Sequence, residues 1–125
     1  MVSDTASKLL FVLTKGLGEA GAATRAVQFA SIAADKGHYV EIFLVDEAVH
    51  WAHLGIAEGI ATTTGEQMKD LLNKLQQRQT VIHVCEACAN KRLIPPDELI
   101  DRAKISGGAV LVDLMAAPDY KVFIF

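Results

Sequence analysis

Chemistry in this chain points first to Cys85 and Cys88, its two cysteines, spaced as C-x-x-C. In a reducing compartment such a pair is more often reactive or metal-binding than a structural staple. Cys85 follows the run Val81-Ile82-His83-Val84, which reads as a strand, so the thiol falls at a strand's carboxyl end. Open α/β sheets place their ligands at that edge. Residues 86–90 can open a helix, whose N-terminus favours a thiolate; Lys91 and Arg92 add to that effect and Glu86 opposes it. The competing explanation is an inert pair, because free cysteine is among the most buried residue types.

Other groups compete for attention. A thioredoxin-like reductant carries its pair after an early strand and before a long helix, whereas here Pro95 follows within ten residues. A zinc site needs two further ligands, for which His50, His53 and His83 are the candidates, but no second C-x-x-C is present and no metal is assigned. His83 lies two residues before Cys85 and therefore leaves the strand on the same face. Gly16, Gly18 and Gly21 match G-x-G-x-x-G between a strand and a helix, the setting of a nucleotide-binding loop, and Asp46 ends the next strand. Against that reading, Glu19 puts negative charge where a pyrophosphate would sit. A glycine-rich turn is also what any tight strand-to-helix connection uses. Trp51 either lines a cleft or an oligomer contact, or anchors its loop.

The elements that must position these groups alternate. Residues 8–14 read as a buried strand, continuous rather than alternating in its apolar pattern. A helix over 19–36 follows, with Ala22, Ala26, Phe29 and Ala33 as its inner face and Gly37 as its stop. Residues 38–45 form a second strand. A short helix is expected over 47–53. A longer one carries Met68, Leu71, Leu72 and Leu75 inward, opened by a capping box from Thr64 to Gln67. The third strand is 80–85. Residues 97–104 read as a short helix, 109–115 fit either helix or strand, and 120–125 form a last strand. This order predicts a three-layer α/β/α architecture on a mainly parallel sheet of four to five strands, in the flavodoxin-like topology class.

The chain's 125 residues fit one domain, 1–125, with 51% hydrophobic and 22% charged residues and a net charge of −3. Its basic residues are scattered, which argues against nucleic acid as the main ligand. The apolar runs are too short for a membrane span. Residues 1–7 lack the basic start and apolar stretch of a secretory signal, so the expected location is cytoplasmic.

Taken together, the residues resemble a known family. Val40-Glu41-Ile42-Phe43-Leu44-Val45-Asp46-Glu47-Ala48-Val49 is similar to the second strand and following D-A-V segment of the DsrE/DsrF-like proteins, the YchN type especially. Val81 to Cys88 with Arg92 resembles that family's strand, cysteine and downstream arginine, and the terminal strand ending in Phe125 resembles its closing strand. Family members often carry glycine after the arginine; with Leu93 there instead, the backbone path of that turn is expected to differ. The resemblance implies sulfur relay. Cys85 is then the thiol that carries sulfane sulfur as a persulfide, or thiosulfate. Cys88 is an optional second thiol, Arg92 stabilises the anion, and His83 is a lesser candidate for proton transfer. It further implies homo-oligomers (trimers or hexamers), partners such as a small TusA-type carrier or a sulfur-metabolising enzyme, and no cofactor, because thiol exchange needs none. Whether such a carrier is an enzyme is a matter of definition. A nucleotide-binding module using Gly16 to Gly21 and a small C-x-x-C redox or zinc protein are the alternatives.

Overall fold

A computed structural model describes residues 5–125; part of the 1–7 stretch read for a secretory signal lies outside them. Five strands make one all-parallel sheet in the order β4-β3-β2-β1-β5. They are β1 (Lys8–Leu13), β2 (Tyr39–Leu44), β3 (Val81–Cys85), β4 (Ala103–Ser106) and β5 (Tyr120–Ile124). The helices are α1 (Ala20–Asp35), α2 (Met68–Gln77), α3 (Glu86–Lys91) and α4 (Gly108–Ala116). The chain steps outward from β1 to β4 and then returns through α4 to the far side of β1. That reversal puts α4 on the face opposite α1 and α2, because parallel crossovers keep one hand.

The two faces differ in how they are filled. One packs Phe11, Leu13, Ile42, Leu44, Ile82 and Val84 against α1 and α2, and α2 buries Met68, Leu71, Leu72 and Leu75 as its spacing requires. The other face carries Leu10, Val12 and Phe43 under Leu111 and Leu114 of α4. Of the expected inner face of α1, Ala26 and Ala33 are buried, but Ala22 is exposed and Phe29 is 45% exposed. The buried stripe is rotated toward Ala23, Val27, Ala30 and Ala34. Small residues let α1 lie close to the sheet, while Phe29 at its flank meets Phe125 edge-on at 6.4 Å.

Two local readings are corrected and one left open is resolved. The segment read as a helix over 97–104 is a 3-10 turn at Pro96–Glu98 followed by strand β4. Pro95 and Pro96 cannot donate to a helix, and the open edge of β3 offers Ala103–Ser106 a ladder instead. The Thr64–Gln67 capping box does not form. Gln67 itself precedes α2 without a side-chain cap, and the Thr64 hydroxyl donates to Glu66 at 2.5 Å. The ambiguous 109–115 stretch is helical within α4. Among the described residues no helix is long and apolar enough to cross a membrane.

Candidate functional site

Cys85 ends β3 and is the residue immediately before α3, so both cysteines sit at the carboxyl edge of the sheet as two free, half-buried thiols. Beside them the chain leaving β2 turns sharply at Asp46, whose φ of 51° is left-handed. That turn aims the Asp46 N–H at Cys88 Sγ, 3.2 Å away. Burial pushes the Cys88 thiol up, its hydrogen bond to Cys85 adds to the rise, and the Asp46 N–H works the other way. Cys88 therefore holds its proton next to Cys85. With only six residues in α3 and Glu86 in its first turn, the helix contributes little more than its first N–H groups.

Arg92 does not point freely at the thiols. Its Nε and Nη2 donate to Glu47 Oε1 at 3.0 and 2.6 Å, and Nη1 donates to the Cys88 carbonyl at 3.2 Å. The guanidinium holds the Glu47 carboxyl below its ordinary range. Leu93 then adopts φ 58°, against the expectation that leucine would change the path of this turn. The reason is a complete helix-terminating pattern. Leu93 N–H donates to Asn90 O and Ile94 N–H to Ala89 O, with Ile94 and Ala89 buried.

A cleft of about 890 Å³ opens between the β1–α1 connection and the 3-10 helix Asp46–Ala52. Lys15, Glu19, Asp46, Glu47 and His50 line it, with Lys15 paired to Glu19 at 3.3 Å. The glycine motif belongs to this wall. At Gly16 a Cβ would meet the Glu47 carbonyl oxygen at 2.8 Å, so the glycine permits a close backbone approach. Gly18 and Gly21 face open space, and three carboxylates against Lys15 and His50 make a poor phosphate cradle. Trp51 is 1% exposed and donates its indole N–H to the Lys15 carbonyl at 2.8 Å, which makes it the anchor of the same wall.

The histidines are dispersed. His53 contacts Glu98 at 2.7 Å and His50 contacts Glu47 at 3.6 Å. Among the described residues no three His, Cys, Asp or Glu side chains gather as a metal site. His83 is buried in a row across the sheet, with Nε2 2.7 Å from Glu41 Oε2 and Nδ1 2.8 Å from Ser106 Oγ. Its ring stacks on Phe43 at 5.1 Å. Glu41 Oε1 also accepts from Tyr39 at 2.9 Å and Tyr120 at 2.5 Å. Led by the His83 hydrogen bond, these contacts lower the Glu41 carboxyl to about 2 despite its burial. Glu41 and Ser106 escaped the sequence reading. Their signal was present: Glu41 interrupts Val40-Ile42-Phe43 as His83 interrupts Ile82-Val84, and polar groups inside buried strands need partners.

The sequence profile of the DsrE/DsrF-like family matches residues 7–125. The chain belongs to this family. No curated protein matches it in sequence. Among solved structures, the ychN protein from E. coli superimposes with a TM-score of 0.82 at 20% identity, covering 95% of this chain and 99% of that one. The shared fold is the all-parallel sheet with flanking helices, and the family suggests a sulfur-relay role.

Proposed function

We propose that this DsrE/DsrF-like protein is a cytoplasmic sulfur carrier, or sulfurtransferase, that holds sulfur covalently on Cys85 and passes it to a partner thiol. The observation that carries the reading is the pair of free thiols at the carboxyl edge of β3, with Cys88 held by the N–H of Asp46 from the cleft wall. The Cys85 thiolate attacks the outer sulfur of a donor persulfide, the donor thiolate leaves, and a persulfide stands on Cys85. A partner thiolate then takes the terminal sulfur and Cys85 leaves as thiolate. Alternatively Cys88 attacks the inner sulfur, closing a disulfide and releasing sulfide. Neither route needs a cofactor. Arg92 is engaged by Glu47, and Glu19 and Asp46 add negative charge to the cleft, so a singly charged persulfide suits the site better than doubly charged thiosulfate.

The partner is a protein thiol, such as that of a small TusA-type carrier or a sulfur-metabolising enzyme. Copies of the chain associate as a trimer or hexamer. Support for association comes from α4, which is apolar around nearly its whole circumference and buries no residue.

Intact mass after exposure to polysulfide, thiosulfate and tetrathionate in turn tests the carrier. The expected result is an adduct of sulfur atoms from polysulfide that persists in Cys88→Ser, disappears in Cys85→Ser and reverses with reductant. No adduct from any donor, or one unaffected by Cys85→Ser, overturns the reading.

A further inference from the structure

The Glu41–His83–Ser106 row lies on the sheet face that Cys85 shares, and the cysteine chemistry above makes no use of it. Ser106 is the register partner of Cys85 across the β3–β4 ladder. Paired residues on neighbouring parallel strands project to the same side about 5 Å apart. Cys85 packs against the same Leu10, Val12 and Phe43 cluster that backs the row. Among the described residues no buried side-chain polar atom lacks a partner, so the network is fully satisfied within the fold.

Donor and acceptor accounting gives the row a direction. The Glu41 carboxylate, accepting from two tyrosines, can only accept from His83 as well. Nε2 therefore carries a proton. With the imidazole neutral, Nδ1 accepts and the Ser106 hydroxyl donates to it. With the imidazole protonated, Nδ1 donates, Ser106 accepts, and the serine proton is free to turn toward Cys85.

We propose that Ser106, His83 and Glu41 form a positioning relay that stores the proton of Cys85. Cys85 gives its proton to Ser106 Oγ as the serine proton passes to His83 Nδ1. The resulting imidazolium is held by the Glu41 carboxylate, and Ser106 donates a hydrogen bond to the thiolate. The proton returns by the same path when a thiolate leaves the site. Atoms and charge balance without any co-reactant: one neutral thiol and one neutral imidazole become thiolate and imidazolium. Other titratable or charged groups near the row are Tyr39 of β2 and Tyr120 of β5 on Glu41, Lys8 of β1 over both tyrosine rings and paired to Asp119, exposed Lys104 of β4 in register with His83, and exposed Asp113 on α4. Cys88, Asp46 and Glu86 lie on the Cys85 side.

The inference rests on Cys85 being the working thiol, but its test reads ionisation and not sulfur, so the two readings fail separately. The rate of Cys85 alkylation by iodoacetamide is measured against pH in Cys88→Ser, with and without Ser106→Ala, Ser106→Thr and His83→Gln. In Ser106→Ala the profile moves to higher pH and the rate at pH 7 falls roughly tenfold, the scale of one lost hydrogen bond to a charged group. The plateau at high pH is unchanged, and Ser106→Thr restores the parent profile. His83→Gln moves the profile in the same direction as Ser106→Ala. Thermal unfolding accompanies each variant; an equal loss of stability in Ser106→Thr without a profile shift separates packing from proton transfer. A Ser106→Ala profile that overlays the parent overturns the relay, as does one whose plateau falls with no displacement along pH.

Discussion

At the residue scale, the turn that closes the thiol helix holds a leucine where glycine is the natural occupant. Leu93 is left-handed, 86% exposed and two residues past the end of α3. A non-glycine residue in that conformation costs roughly 1–2 kcal/mol, and so exposed a side chain regains little through packing. Leu93→Gly is therefore expected to stabilise the fold by about 1 kcal/mol, after glycine's own chain entropy is subtracted. A shift of the urea midpoint to higher concentration at unchanged slope is the check; a lower midpoint would mean that the leucine side chain makes contacts worth more than the strain. Arg92 illustrates the same locality. Its type and its position after the cysteines were legible, whereas its commitment to Glu47 was not, because Glu47 lies 45 residues earlier.

At the element scale, α1, α2 and α3 end by one device. Gly37, Gln79 and Leu93 each stand just beyond a helix with positive φ. Each is followed by the paired return of N–H groups to the last turn, as in His38 to Ala33, Thr80 to Leu75 and Ile94 to Ala89. Only the first has the glycine that announces it. The strands raise a different issue, since β2 and β3 bring Glu41 and His83 into a nearly dry face. Glu41 ionises at about 2 in the fold against an ordinary value of 4.5. A depressed carboxyl stabilises the fold above its unfolded value, and that stability disappears as pH falls from about 4.5 to about 2. The expected loss from this group is on the order of 2 kcal/mol. Denaturant unfolding followed between pH 6 and pH 2 should show it, and Glu41→Gln should flatten the slope in that window. An equally steep slope in Glu41→Gln would place the acid sensitivity elsewhere.

For the molecule as a whole, the outward side of α4 is the least protein-like surface. Val112 is 62% exposed, Val110 and Met115 are also open, and Ile124, in register with Val12 on the face that α4 covers, lies exposed on edge strand β5. A helix apolar on nearly all sides is normally covered, and edge strands left bare invite pairing. If copies meet through this face, Val112→Asp shifts the protein toward monomer in size exclusion with light scattering while leaving its far-UV spectrum intact. An unchanged mass for Val112→Asp would remove α4 from the contact.

The sequence by itself determined what depends on neighbours a few residues away. It specified most strands and helices, the carboxyl-edge placement of Cys85, the inward face of α2, and the family resemblance carried by the cysteine block. Its misses also lay at short range, where two states are close in energy: residues 97–104, the Thr64 cap and the rotation of α1. Only the tertiary structure decided which distant groups meet. Glu41 finds His83 across 42 residues and His83 finds Ser106 across 23, because parallel register lines them up on one face. The Gly16 approach to Glu47 and the Asp46 N–H on Cys88 arise in the same way. Periodicity reports which side of an element is buried; it carries no information about the partner that the sheet's crossovers will bring to that side.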